Sequence, residues 1–287
     1  MEPISSHTYL ETEYPGVVLG AIVSKRGLFL VDAPFRVEDQ HAWRQDLVQL
    51  DAGRGRLLVM LDPHIDRTLG IRAMETEVIG QENCVPILSD RPTAFRSQEL
   101  DAGSDWEPFN LPANLRWAIP ELTYSDSLTI YWDDLPIVLE HHPGSHIAGT
   151  WLKVMSDSVV FIGDAVVTNQ PPFLGYGDLE TWVADLELLL SDEYKGFKIV
   201  TSRSAVVRAR SIEKMRNFLE KTRHKVEAFA AHPGETEDLL KEVPGLLRGL
   251  SFNKGLTQRY HNRLAWGLEQ YYNRHYLHID DGQKGEN

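Results

Sequence analysis

One cysteine, Cys84, in 287 residues leaves no partner for an intramolecular disulfide and rules out a zinc site built from several thiolates. A lone thiol of this kind reads as a small buried hydrophobe in a protein of a reducing compartment. Positive charge is also scarce. Lys and Arg number 29 against 42 Asp and Glu, a formal net charge of −13. Such a surface repels phosphate backbones and anionic lipid, so neither nucleic acid nor membrane is an expected partner. No apolar run approaches the roughly 20 residues of a bilayer span. Met1 to Glu13 has neither the basic start nor the apolar stretch of a secretion signal. Internal repeats and low-complexity linkers are absent too. The expectation is a cytoplasmic protein.

The composition that remains, 42% hydrophobic and 25% charged, is that of a globular chain able to bury a substantial core. The first half is strand-rich. Val17–Val23 and Leu28–Val31 flank a hairpin turn at Lys25-Arg26-Gly27. Val37 to Leu50 has helical spacing, with Trp43, Leu47 and Leu50 on one face. The strand Leu57–Leu61 follows, and Ser97 to Ala118 reads as a long polar surface loop. Leu128–Tyr131 and Pro136–Glu140 form a second hairpin around Asp133-Asp134. Thr150–Val154 and Val159–Ile162 are strands turned by Ser156-Asp157. Asp178 is a good N-cap for a helix burying Leu179, Trp182, Val183, Leu186 and Leu189. A short strand at Phe197–Val200 precedes a helix from Ser211, stopped by Pro233-Gly234. Thr257 to Tyr272 is a last amphipathic helix, before a polar tail from Asp280 expected to be disordered. This order predicts one α/β domain of two packed sheets with outer helices. Tight turns between strands disfavour a doubly wound parallel sheet.

Chemistry concentrates at three strand ends. In Leu58-Val59-Met60-Leu61-Asp62-Pro63-His64-Ile65-Asp66-Arg67 an apolar strand empties into a loop with Asp62, His64 and Asp66 at alternate positions. His141-His142-Pro143-Gly144-Ser145-His146-Ile147-Ala148-Gly149 lies between two strands, and Gly163-Asp164 ends a third. Each alone is an ordinary turn. Together His64, His146 and Asp164 are the mixture that suits a divalent transition metal.

The order and spacing of these pieces resemble the metallo-β-lactamase superfamily. Gly20 to Asp32 is similar to its opening hairpin. Its His-x-His-x-Asp-His loop falls on Asp62-Pro63-His64-Ile65-Asp66-Arg67, and its Gly-His-Thr-x-Gly loop on Ser145-His146-Ile147-Ala148-Gly149. Its bridging aspartate falls on Asp164, and its final histidine turn on Thr201-Ser202-Arg203-Ser204. The resemblance covers about residues 17–203. It implies a four-layer αββα sandwich over residues 1–287, with C-terminal helices over about 205–278.

The same resemblance implies that Asp62, His64 and His146 hold a first metal, with Asp164 bridging. The second metal position would be Asp66, Arg67 and Arg203, and a guanidinium has no lone pair to give. The expectation is therefore one divalent ion, zinc first and iron or manganese next, with Arg67 and Arg203 offsetting the carboxylates in place of the second ion. In that reading the protein is a metal-dependent hydrolase of a small, anionic substrate. Asp66 would orient the attacking water, and Arg67 or Arg203 would hold the substrate or its oxyanion. Plain ion pairing of each arginine with Asp66 or Asp164 is the competing role. Two further readings stand beside it: a mononuclear iron dioxygenase-like enzyme, and a non-catalytic binding or structural protein. His141 and His142 are expected at the rim, and Asn169–Phe173 as a rigid loop bordering the pocket. Tyr271, Tyr272 and Tyr276 predict packing within the monomer, with a homodimer as their other use.

Overall fold

The computed structural model describes residues 1–93, 95, 102–112 and 115–277. Two mixed sheets form the centre. The first runs in sequence order through β1 (Glu2–Pro3), β2 (Thr8–Glu11), β3 (Leu19–Val23), β4 (Gly27–Val31), β5 (Gly55–Val59), β6 (Glu77–Gln81) and β7 (Leu122–Tyr124). The second is ordered β13 (Ala205–Val207), β12 (Lys198–Thr201), β11 (Val159–Phe161), β10 (Thr150–Val154), β9 (Leu135–His141) and β8 (Ser127–Trp132). Helices α1 (Val37–Val48), α2 (Ile65–Thr68) and α3 (Cys84–Ser89) cross over between strands of the first sheet. α4 (Leu179–Leu189) links β11 to β12, and α5 (Ala209–Ala231), α6 (Thr236–Leu240), α7 (Val243–Leu247) and α8 (Thr257–Tyr272) close the chain.

Side chains alternate across each strand, which sorts the core into layers. In β4, Leu28 and Leu30 face outward to Trp43 and Leu47 of α1, while Phe29 and Val31 face inward. The inward set meets Ile137, Leu139, Leu152 and Phe161 of the second sheet. On that sheet's outer face Trp151, Val160 and Ile199 pack with Trp182 and Leu186 of α4, Ile212 and Leu219 of α5, and Leu264 of α8. The result is the expected four-layer αββα sandwich. Both tight hairpins form as read, β3 with β4 and β8 with β9. Asp178 caps α4 by accepting the Thr181 N–H at 2.8 Å, a bond worth about 1 kcal/mol.

Several local expectations shift. The polar segment 97–118 is not simply surface loop where described: Trp106 and Trp117 are buried, and both pack edge-on against Phe95. Its aromatics outweigh its polar residues because they roof the outer face of the first sheet. The turn at Ser156-Asp157 is a single 3-10 turn, Met155–Asp157, and the helix expected from Ser211 already starts at Ala209. Tyr271 and Tyr272 are buried within the chain's own core. The tail from Asp280 lies outside the described residues. Cys84 is buried, and burial pushes its thiol well above the ordinary range, so it packs as a hydrophobe. Among the described residues no helix is long and apolar enough to cross a membrane.

The topology also positions the site. β4, β5, β6 and β7 run parallel, as do β11 and β12, so their carboxyl ends share an edge within each sheet. Two backbone bonds join those edges: Thr150 N–H to Leu61 O, and Val18 N–H to Ser202 O, each at 2.7 Å. The loops after β5, β11 and β12 therefore converge, as strand-end loops do in open α/β sheets.

Candidate functional site

The loop after β5 is set by its own side chains. Asp62 Oδ1 accepts the His64 N–H at 2.8 Å, and His64 Nδ1 accepts the Asp66 N–H at 3.3 Å as the N-cap of α2. Those bonds turn the chain so that Asp66 and Arg67 enter α2 fully buried. After β11, Gly163 adopts φ of 59°, a left-handed conformation that glycine takes without strain. Asp164 follows, directed at Arg67. After β12, the Thr201 hydroxyl accepts the Ser204 N–H at 2.9 Å and closes the turn that presents Arg203.

Two guanidiniums occupy the middle of this convergence. Arg67 Nη1 donates to Asp62 Oδ2 at 3.2 Å, and its Nη2 lies 2.5 Å from Asp164 Oδ2. Arg203 Nε donates to both oxygens of Asp164 at 3.0 Å. Its Nη1 reaches Asp66 Oδ2 at 2.9 Å and Asp105 Oδ2 at 2.6 Å, and its Nη2 lies 3.2 Å from His64 Nδ1. Asp66 Oδ1 also accepts the Trp106 N–H at 2.8 Å.

Two further arginines reach the network from α8. Arg259 Nη2 donates to Asp105 Oδ1 at 2.6 Å. Arg263, with no exposure at all, donates from Nε to Gly103 O at 3.0 Å and from Nη1 to Gln170 Oε1 at 2.6 Å. The Phe173 ring lies beneath both Arg203 and Arg263, with guanidinium carbons at 4.6 and 3.9 Å from its centroid. Four carboxyls (Asp62, Asp66, Asp105 and Asp164) thus meet four guanidiniums (Arg67, Arg203, Arg259 and Arg263) in one network.

The electrostatics follow from burial and pairing. Burial pushes the Asp164 carboxyl up, but Arg203 and Arg67 outweigh it and hold the group well below the usual carboxylate range. Burial alone would lower both guanidiniums, whereas Asp164 and the other aspartates raise them above the ordinary arginine range. Asp32, behind the site at the end of β4, is buried without a charge partner in contact among the described residues. Burial pushes it up to about 8, although its Oδ1 accepts the Leu61 N–H at 3.0 Å. Burial, with the arginines adding to it, lowers His64 well below 6.5, and burial takes His146 down to about 4. Both imidazoles are neutral at pH 7.

These residues do not fit a metal ion as they stand. Among the described residues no three His, Cys, Asp or Glu side chains come together as ligands. Arg67 fills the space between Asp62 and Asp164, two of the four expected ligands. Each histidine has already committed its lone pair: His64 Nδ1 accepts the Asp66 N–H, and His146 Nδ1 accepts the Ala148 N–H at 3.0 Å. A neutral imidazole accepting at Nδ1 carries its proton on Nε2 and has nothing left to coordinate with. The expected ligand set of Asp62, His64, His146 and Asp164 is therefore gathered at one place but turned onto arginine and backbone. The physical reason is that a resident cation already neutralises the carboxylates.

Access is equally restricted. Between His64, His146, Arg91, Phe173, Tyr176 and Trp266 lies a cavity of about 20 Å3, room for about one water. His146 stacks on Tyr176 with centroids 5.2 Å apart, and Phe173 meets His64 edge-on at 4.6 Å. The loop Asn169–Phe173 does border the site, and its phenylalanine helps to shut it. His141 and His142 turn elsewhere. His141 Nε2 contacts Ile147 O at 2.8 Å, while His142 stacks on Trp151 and pairs through Nδ1 with Asp185 at 2.8 Å. Burial lowers His142, but its bonds to Asp185 and Glu140 leave it raised overall.

Asp105, Arg259 and Arg263 were not among the residues expected at the site. The signal for the two arginines was their i, i+4 spacing on α8, with Arg263 inside the apolar stripe of Tyr260, Leu264, Gly267 and Leu268. Asp105 carried none.

The architecture matches known structures. A metallo-β-lactamase from Pontibacter korlensis is 16% identical, over 76% of this chain and 97% of that one, with a TM-score of 0.59. The DIM-1 metallo-β-lactamase is also 16% identical, over 77% and 96%, with a TM-score of 0.56. A double mutant of the sec-alkyl sulfatase PisA1 is 13% identical with a TM-score of 0.66; the match spans 98% of this chain and half of that one. No family model and no curated protein matches. The fold is the metallo-β-lactamase fold.

Proposed function

We propose that this chain is a metal-independent, non-catalytic variant of the metallo-β-lactamase fold, in which an arginine–carboxylate network has replaced the metal centre and the protein works by binding. One observation carries the reading: the Arg67 guanidinium, wholly buried, sits between Asp62 and Asp164 at 3.2 and 2.5 Å. A metal ion there would have to expel a cation already paired on two sides. The breaking of such a buried pair costs about 3–5 kcal/mol. The small cavity supports the same reading, since the described residues leave only about 20 Å3 beside the pair of histidines.

Metal-dependent hydrolysis is the second reading, favoured by the fold and by the gathering of Asp62, His64, His146 and Asp164 at one edge. It requires Arg67 to swing out and both imidazoles to release their backbone bonds. Iron-based oxygenase chemistry carries the same requirement.

Thermal unfolding separates the two readings. A ligand that binds only the folded state raises the midpoint with its concentration. The midpoint is expected to be the same with a chelator and with added zinc, manganese or ferrous ion. A concentration-dependent rise with one of these ions, abolished by His64→Ala and His146→Ala, would establish the metal-dependent reading instead.

A further inference from the structure

A second cavity, of about 750 Å3, opens on the far side of the Arg203 turn, between the loop after β11, strand β13, the start of α5 and the segment after α7. This is the size of a small-molecule site. Its floor is apolar: Val167, Val207, Met215, Phe218 and Leu246 line it and are buried. Its rim is basic, with Arg208, Arg210, Lys214 and Lys221 on one side and no Asp or Glu anywhere in the lining. In a chain of net charge −13 that is an uncommon concentration of one sign.

The cations are also unanswered. Arg208, Arg210 and Lys214 make no ion pair or hydrogen bond among the described residues, and Lys221 reaches only the Gly245 carbonyl at 3.5 Å. The N-terminus of α5 adds to the field. Arg208 at the N-cap offers no side-chain acceptor, and the first turn of this 23-residue helix holds no acidic residue. A helix start is the positive end of its dipole, and placing cations beside it is unfavourable unless an anion is present. The Ser204 hydroxyl accepts the Thr168 N–H at 3.0 Å, and Gln170 is held by Arg263 at 2.6 Å, so the buried network fixes one side of the cavity.

We infer that this cavity binds a small amphipathic anion, its phosphate or carboxylate head on Arg208, Arg210 and Lys214 and its apolar body over Val207, Met215 and Phe218. Charge complementarity selects the head, and the buried floor selects the tail. The inference stands whether or not the neighbouring centre takes a metal.

Titration calorimetry on the full chain with decyl phosphate and with decanoate tests it. At least one of the two is expected to bind saturably, about tenfold or more tighter than decanol or inorganic phosphate. The exposed double substitution Arg210→Glu/Lys214→Glu is expected to weaken that probe about tenfold or more while leaving the circular dichroism spectrum unchanged. Val206→Asp, which adds a negative charge on an exposed rim position, serves as an independent second variant with the same expected direction. No saturable binding of either probe overturns the inference. So does decanol binding as tightly as the anions, inorganic phosphate binding as tightly as decyl phosphate, or affinity that survives both variants.

Discussion

Two arginine-rich regions lie back to back in this protein and differ in whether their cations are answered, and with that in burial and in the space beside them. At the strand ends, Arg67 and Arg203 are buried and matched by Asp62, Asp66, Asp105 and Asp164, with about 20 Å3 of space beside them. At the start of α5, Arg208, Arg210 and Lys214 are exposed, have no charge partner among the described residues, and rim a space of about 750 Å3. Neutralised and buried, the first region is packed as part of the interior. The second keeps its charge available and its floor open, as a ligand site does. In the proposed reading the binding face moves away from the strand-end edge that the superfamily resemblance implies, because Arg67 and Arg203 occupy that edge.

The sharpest way to break the comparison is to remove one answered cation. Arg67→Met leaves Asp62 and Asp164 short of a partner in a buried site and is expected to lower stability by about 3–5 kcal/mol, read from urea unfolding. A loss no larger than that of the Arg210→Glu/Lys214→Glu protein would mean that the network is ornamental.

Acid is the next lever. His146, lowered to about 4 by burial, stays neutral in the fold, whereas the unfolded chain takes up its proton below about 6.5. The unfolded state then binds more protons, so stability present above pH 6.5 is lost as the pH falls toward 4. For this residue the loss is on the order of 3 kcal/mol. His64, lowered in the same direction, adds to it. Asp32 slopes the other way: pushed up to about 8, it holds its proton in the fold, so its contribution declines as the pH rises from about 4 to 8. The difference between wild type and His146→Gln across pH 4–7 isolates the histidine. A flat difference would show that His146 is protonated or exposed in the fold.

The unanswered cations give the small effects. Arg210→Glu/Lys214→Glu is expected to change unfolding free energy by no more than about 0.5 kcal/mol, and a larger loss would place those residues in a structural role. Salt sharpens the contrast last. Raising ionic strength from 0.05 to about 0.5 M shortens the screening length several-fold, so the thermal midpoint should barely move while decyl phosphate binding weakens. Equal sensitivity of the two would remove the distinction.

Much of this was legible in the sequence, for identifiable reasons. The continuous apolar run Leu28–Val31 marks a strand buried on both faces, with Leu28 and Leu30 against α1 and Phe29 and Val31 against the second sheet. Turn chemistry at Lys25-Arg26-Gly27 and Asp133-Asp134 fixes both hairpins. The convergence of Asp62, His64, Asp164 and Arg203 followed from the motif order, and so did the pairing of both arginines with aspartates. Which partner each arginine takes was not legible. Arg67 reaches past its neighbour Asp66 to Asp62 and Asp164, because α2 directs it across the site. Asp105, Arg259 and Arg263 come from distant segments that local pattern could not dock onto the strand ends. The aromatic roof of Phe95, Trp106 and Trp117 was hidden by the polar residues around it.

Metal content of the purified chain, produced in medium supplemented with zinc, manganese and iron, tests the central claim most directly. With Arg67 between Asp62 and Asp164, and both histidines turned onto the backbone, elemental analysis should find no bound metal in stoichiometric amount. About one metal ion per chain, lost on His64→Ala and His146→Ala, would contradict it: the arginine network would then be a resting arrangement that yields to the metal.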